Sequence, residues 1–258
     1  MDLQLNGKTA LVTGSTAGIG LAIAQALAQE GAAVIVNGRT EERVRAAIQT
    51  SGAAYGVAAD LATEAGARTL IAQFPHVDIL VNNLGIFEPK PFDQITDGDW
   101  RRFFEVNVLS GVRLSRHYSV LMRENNWGRI VFISSESALQ IPVDMIHYGM
   151  TKTAQLAVSR GLAESMAGTG VTVNAVLPGP TASEGVTDFV GKLAAGQGSD
   201  IAAVEREFFR EVRPSSLIKR FATPAEVAAL VAFVCSPLAS AITGAALRVD
   251  GGVVRSIA

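Results

Sequence analysis

The stretch Thr9-Ala10-Leu11-Val12-Thr13-Gly14-Ser15-Thr16-Ala17-Gly18-Ile19-Gly20 decides the fold. Its first four residues form a short apolar run of strand character. From Ile19 to Gln29 the pattern turns helical and stops at Gly31, the residue type that most readily closes a helix in the left-handed conformation. Between the two, glycines let backbone amides at a helix N-terminus approach a pyrophosphate, whose charge the helix dipole favours. A glycine pattern alone is also what a plain tight turn needs. The position after a strand and before a helix is what points to a nucleotide.

Outward from this turn, short β-branched runs at 33–36, 79–81, 129–133, 171–176 and 247–249 alternate with helical segments at 100–123, 148–166 and 224–235. Such alternation builds a parallel sheet with helices on both faces, because each parallel pair needs a crossover and the crossovers are right-handed. The predicted fold is α/β: a Rossmann-like, doubly wound parallel sheet of about seven strands in a single domain. Within it, residues 1–177 carry cofactor binding and catalysis, and 216–258 a closing helix and strand. Residues 178–215 break the rhythm with Gly185, Gly191, Gly196 and Gly198 before a helical stretch at 201–212, and read as a mobile substrate flap.

Charged residues make up 18% of the chain, below the roughly 25% of ordinary soluble proteins, so apolar surface is expected to be withdrawn from water by self-association into a homotetramer or homodimer. The apolar faces of 100–123, 148–166 and the C-terminal segment are the candidates. A net charge of −2 gives no basic face for nucleic acid or an anionic membrane, which leaves small-molecule chemistry. The N-terminus lacks signal-peptide character and no apolar run approaches a membrane span, so the expected location is cytoplasmic. Cys235, the single cysteine, falls on an apolar helix face and reads as a buried structural thiol. His76, His117 and His147 are scattered without the spacing of a metal site, so no metal is expected, and there is no Gly-x-Ser-x-Gly elbow for a hydrolase. His147 points away from Tyr148 on a helix and reads as a pocket or surface residue.

The spacing Gly14-x-x-x-Gly18-x-Gly20 together with Tyr148-Gly149-Met150-Thr151-Lys152 resembles the short-chain dehydrogenase/reductase family. The resemblance covers essentially the whole chain. It continues in Asp60-Leu61, Asn82-Asn83-Leu84-Gly85, Asn107, Ser135, Pro178-Gly179 and Asp250-Gly251-Gly252. It implies an oxidoreductase working between a carbonyl and an alcohol with a nicotinamide cofactor. Gly14, Ser15, Thr16, Gly18, Ile19 and Gly20 would form the cofactor turn. Asp60 would hold the adenine through its side chain and Leu61 through its backbone, with Asn83 and Gly85 lining the floor beneath the adenosine ribose. Pro178, Gly179, the Thr181 amide and the Ser183 hydroxyl would orient the nicotinamide. On residues alone, Asp60 is equally an Asx turn, Asn83 a strand-end loop and Pro178-Gly179 a proline turn. Leu84 stands where the family usually has alanine.

The chemistry asks for a proton donor at a carbonyl oxygen that gains negative charge as hydride arrives, and Tyr148 can supply it. Lys152, four residues on, shares its helical face, where an ammonium favours the phenolate. The resemblance adds that Lys152 reaches the nicotinamide ribose, that Ser135 donates to the substrate oxygen, and that Asn107 holds a water through which Lys152 is reprotonated. For the cofactor, an NAD enzyme places an acid at the end of the second strand, whereas Val36-Asn37-Gly38-Arg39-Thr40 has none. Arg39 offers a forked guanidinium to a 2′-phosphate, with Asn37 and Thr40 as further donors, so NADP(H) is expected over NAD(H).

An isomerase or lyase, or a nucleotide sensor, could be built on the same scaffold. The complete set Asn107, Ser135, Tyr148 and Lys152 disfavours a sensor, and an epimerase would want a larger C-terminal region. Within the family the resemblance is to the 3-oxoacyl-(acyl-carrier-protein) reductase branch. Arginines that such reductases commonly carry before Gly128 and Gly170 are replaced by Asn126-Trp127 and Thr169. Candidate pocket residues Gln140, Ile141, Met145, Val186 and Phe189 name no particular substrate.

Overall fold

Where each face of the apolar strands goes is visible in the computed structural model, which describes residues 1–184 and 200–257. Strands β1 (Thr9–Val12), β2 (Ala33–Gly38), β3 (Tyr55–Ala58), β4 (Ile79–Asn82), β5 (Gly128–Ile133), β6 (Val171–Pro178) and β7 (Ala246–Val249) form one sheet in the order β3-β2-β1-β4-β5-β6-β7. Every pairing is parallel. The helices are α1 (Gly18–Gln29), α2 (Glu41–Ser51), α3 (Glu64–Gln73), α4 (Asp97–Phe104), α5 (Ser110–Glu124), α6 (Ile146–Ser165), α7 (Ile201–Glu207) and α8 (Pro224–Cys235).

Successive strand residues point to opposite faces, so a sheet covered on both sides needs apolar residues at every position. Ala10, Val12, Val34, Val36, Ile79 and Val81 enter one core with Ile23 and Leu27 of α1 and Val227 and Val231 of α8. Leu11, Ile35, Leu80, Ile130 and Phe132 enter the other, against Leu70 of α3, Leu114, Tyr118 and Met122 of α5 and Ala163 of α6. Cys235 is fully buried in the first core, and burial pushes its thiol up to about 12, an inert structural position.

Several boundaries differ from the sequence reading for tertiary reasons. β2 runs on to Gly38 and β6 to Pro178 because pairing continues, Gly38 opposite Ala58 and Pro178 opposite Val249. The helix expected over 100–123 starts earlier, at Asp97, behind a Thr96–Asp99 capping box, and is interrupted by a π-turn at Glu105–Leu109. The helical stretch at 201–212 likewise ends in a π-turn, Phe208–Val212. His147 is neither a pocket nor a surface residue: it is fully buried, 4.1 Å from the Phe103 ring centroid and 6.1 Å from that of Trp100. Of the expected flap, residues 185–199, including Gly185, Val186, Phe189, Gly191, Gly196 and Gly198, lie outside the described residues.

Candidate active site

In a doubly wound sheet the loops at the carboxyl ends of the strands diverge where strand order reverses, and the crevice opens there. Here the reversal lies between β1 and β4. The predicted site residues follow strand ends: Gly14 after β1, Arg39 after β2, Asp60 after β3, Asn83 after β4, Ser135 after β5 and Gly179 after β6.

The first turn is built to leave a helix end open. Gly14 and Gly18 take φ of 58° and 56°, where side chains are strained, and a Cβ on Gly20 would stand 2.5 Å from the Gly14 carbonyl oxygen. Thr40, Thr63, Thr96 and Thr223 cap α2, α3, α4 and α8 through their hydroxyls, whereas the cap of α1 is Ala17, which has none to offer. The first amides of α1, at Gly18, Ile19 and Gly20, are therefore the donors available to an anion. The amides of Gly14 and Ser15 are engaged otherwise, with Asn37 Oδ1 at 3.2 Å and the Asn37 carbonyl at 2.9 Å. Asn83 Nδ2 holds the same turn from the other side, donating to the Thr13 and Gly14 carbonyls at 2.9 and 3.0 Å.

Asn37 is thus not the phosphate donor that its position suggested. It is buried, and its Nδ2 donates to the Val57 and Ala59 carbonyls, tying β2 to β3 and to the glycine turn. Thr40 caps α2, accepting from the Arg43 amide. Arg39 is exposed at the end of β2 and is not ion-paired within the described residues. Asp60 does form an Asx turn, accepting from the Ala62 amide at 3.1 Å, and its carboxylate end is exposed; Leu61 is anchored in the second core. The loop after β6 comes back over the turn: a Cβ on Gly18 would lie 3.2 Å from Ser183 Cβ. Thr181 is buried, its hydroxyl donating to the Gly179 carbonyl. Thr16 touches Gly38 closely enough that a Cβ there would lie 2.4 Å from Thr16 Cγ2.

The four residues proposed for catalysis converge from three elements. Tyr148 and Lys152 share one face of α6, with Lys152 Nζ 5.6 Å from the Tyr148 ring centroid. Ser134 Oγ, at the end of β5, donates to the Lys152 carbonyl and pins α6 beside Ser135. Ser135 lies near enough to the Tyr148 phenol to favour its charged form, while its own hydroxyl donates to Glu136 Oε2 and accepts from the Ser137 amide. Burial raises the phenol pKa far above that of a free tyrosine, with the nearby Ser135 hydroxyl working against it, and burial lowers Lys152 to about 7. Lys152 Nζ donates to the Ile133 carbonyl at 2.9 Å and to Gln155 Oε1 at 3.2 Å. Gly85 lies next to this group: a Cβ on it would be 3.5 Å from Lys152 Nζ and 3.6 Å from Asn107 Oδ1.

Asn107 sits in the π-turn, where an extra residue per turn releases a helix carbonyl. Its amide clamps Ile86, accepting from the Ile86 N–H at 2.8 Å and donating to the Ile86 carbonyl at 3.0 Å. Its released carbonyl accepts from Gln155 Nε2 at 2.6 Å. Gln155, buried and not singled out by sequence, therefore bridges Lys152 to Asn107 directly. Its position three residues after Lys152, on the same helical face, was the available signal. Glu136 and Arg213, an ion pair beside Ser135, were also missed.

The chain is similar to known oxidoreductases in sequence and in fold. The family described as Enoyl-(Acyl carrier protein) reductase matches residues 14–254. The uncharacterized oxidoreductase YvaG of Bacillus subtilis (strain 168) is 53% identical, with both chains fully covered. The 3-oxoacyl-[acyl-carrier-protein] reductase FabG of Aquifex aeolicus (strain VF5) is 35% identical over 98% of this chain and 100% of its own. Among solved structures, L-sorbose reductase from Gluconobacter frateurii, complexed with NADPH and L-sorbose, superposes with a TM-score of 0.92 at 32% identity over the full length of both chains. No helix among the described residues is long and apolar enough to cross a membrane. With the glycine turn, the Tyr148–Lys152 helix and the parallel sheet all in place, the chain belongs to the short-chain dehydrogenase/reductase family of oxidoreductases.

Proposed function

We propose that this protein is an NADP(H)-dependent oxidoreductase that moves a hydride between nicotinamide and a carbonyl or secondary alcohol, with Tyr148 as general acid and base. The observation that carries the reading is the convergence of Ser135, Tyr148, Lys152 and Asn107 beside an α1 N-terminus that no described side chain caps. The residues fit the cofactor: the amides of Gly18, Ile19 and Gly20 would take the pyrophosphate, Arg39 the 2′-phosphate, Asp60 and Leu61 the adenine, and Thr181 and Ser183 the nicotinamide end. When bound, the reduced nicotinamide supplies the hydride to the carbonyl carbon.

The chain's own part is the proton. Tyr148 gives its phenolic proton to the carbonyl oxygen, and in the oxidative direction takes it back from the alcohol. Ser135, whose hydroxyl donates to Glu136 in the unliganded structure, turns that proton to the same oxygen when substrate binds. Lys152, lowered to about 7 by burial, can lose and regain a proton near neutrality, and Gln155 holds it against the Asn107 carbonyl. The test is steady-state NADPH oxidation with a panel of small ketones, aldehydes and ketoses, the last class prompted by the L-sorbose reductase likeness. Turnover of at least one is expected. Conversion of substrate without net NADPH consumption would favour an isomerase or lyase instead.

Carrier-bound substrates are not expected to be preferred. The place where carrier-docking arginines would stand is occupied by Asn126, whose Oδ1 accepts from the Gly170 amide, and by Trp127. The nearest arginine, Arg129, is turned inward, buried over the Trp127 ring and bonded to the carbonyls of Gly128, Gly170 and Ser236. In competition assays a 3-oxoacyl chain on coenzyme A or as a simple ester should match the carrier-bound form in kcat/KM. A large advantage for the carrier would contradict this.

The same reading includes a cytoplasmic homotetramer or homodimer and a substrate flap over 178–215. Exposed Val143, Leu217, Phe92 and Ile201 add to the low charge content as support for self-association. Light scattering at micromolar concentration should report a mass of two or four chains, and a monomer would overturn it.

A further inference from the structure

We propose that Arg213 is a positioning residue for this reaction: by pairing with the buried Glu136 carboxylate it fixes the Ser135 hydroxyl and lets negative charge form at the Tyr148 oxygen. The inference rests on the hydride-transfer reading given above. Glu136 directly follows Ser135 and is 4% exposed. Its Oε2 accepts from Ser135 Oγ at 2.5 Å, from the Ser137 amide at 2.8 Å and from Ser137 Oγ at 3.1 Å. Its Oε1 accepts from Arg213 Nε at 3.0 Å, and the Arg213 side chain is itself 11% exposed. Arg213 closes the π-turn Phe208–Val212, its amide donating to the Phe208 carbonyl and its Nη1 to the Val212 carbonyl.

A carboxylate taken out of water without a cation is costly, and it repels any second negative charge formed nearby. Carbonyl reduction forms such a charge when Tyr148 releases its proton. Among the described residues, the charged groups facing that phenol are few. Glu136 on the turn after β5 opposes the phenolate, and Arg213 from the C-terminal segment favours it. Lys152 lies over the ring from the phenol's own helix. Arg213 thus cancels a charge that would otherwise work against the reaction, while Glu136 keeps Ser135 oriented beside the phenol. None of the proposed roles of Ser135, Tyr148 or Lys152 requires a carboxylate at Glu136, so the pair is an addition to that machinery.

The experiment compares Arg213→Leu, Glu136→Gln and the double variant for kcat, KM, NADPH binding, Tm and the pH profile of alcohol oxidation, which needs the phenolate. Arg213→Leu should lower kcat about tenfold, the equivalent of one pKa unit at Tyr148, and move the rising limb of the profile to higher pH. Glu136→Gln should move that limb to lower pH. The double variant should return both toward wild type, since no uncompensated charge remains. A purely structural pair would not shift the profile in opposite directions. If Arg213→Leu does not fold, Arg213→Lys, which keeps the charge, should hold the wild-type profile, and Glu136→Gln alone still reports the sign. Shifts in the same direction, no shift, or a double variant no better than Arg213→Leu would overturn the inference. Tyr148→Phe run alongside separates the two levels: if it stays active, the reaction reading itself falls, whereas an inactive Tyr148→Phe with unshifted profiles sinks only the role of the pair.

Discussion

Tyr148→Phe is expected to lower kcat about a hundredfold to ten-thousandfold, the range over which a positioned general acid contributes, while NADPH affinity stays within a few fold. The ring keeps its packing, including the edge contact with Phe87 at 6.4 Å, and the Lys152 carbonyl keeps its bond from Ser134 Oγ, so only the transferable proton is lost. The unliganded phenol is held well above its ordinary pKa by burial, and Lys152 is held down to about 7 by the same cause. The enclosure therefore stores the proton on Tyr148 at neutral pH, which is the state that carbonyl reduction needs. Oxidation needs the phenolate, so its rate should rise with pH over a range in which reduction does not. Lys152 carries a stability consequence with a definite sign. Its folded pKa lies below that of the unfolded chain, so between about pH 7 and 10.5 the unfolded state binds more protons and stability rises with pH. Steady-state rates and fluorescence titration with NADPH check the variant. Retention of more than about a tenth of the wild-type kcat would remove Tyr148 from the chemistry.

The second large effect concerns cofactor choice. A charge-assisted contact between a guanidinium and a phosphate contributes about 1.5 to 3 kcal/mol, or roughly tenfold to a hundredfold in affinity, so kcat/KM with NADPH should exceed that with NADH by about this factor. Arg39 is exposed at the end of β2 with no ion-pair partner among the described residues, so its guanidinium can turn to a ligand without breaking an existing bond. Arg39→Ala should collapse the preference with little loss of NADH use. Reversing it takes an acid at Gly38, and there the structure adds a condition that the sequence does not show. A Cβ at Gly38 would stand 2.4 Å from Thr16 Cγ2, so Gly38→Asp is expected to favour NADH only when Thr16 can move aside. The combination Gly38→Asp, Arg39→Ala and Thr16→Ala should therefore exceed the first two alone. Equal use of both cofactors by the wild type would show that Arg39 does not reach the phosphate.

The parts of the fold that local chemistry dictates were open to reading from the residues. Strand runs apolar at every position require a sheet covered on both faces, and glycines between β1 and α1 mark a backbone that must bend where side chains cannot follow. Tyr148 and Lys152, four apart, must share a helical face. Other features depend on partners far along the chain, and no local pattern announces them. The π-turn that presents Asn107 exists because its released carbonyl meets Gln155, 48 positions away, while its side chain clamps Ile86. Asn37 reads as a phosphate donor until Gly14 and the strand from Tyr55 to Ala58 close around it. His147 is buried against the rings of Trp100 and Phe103 on a neighbouring helix. Glu136 and Arg213, 77 positions apart, become a pair only when the segment after residue 200 folds back over the end of β5. Periodicity and turn chemistry act between neighbours in sequence, whereas a buried amide, ring or charge finds its partner only when the whole sheet brings distant strand ends to one edge.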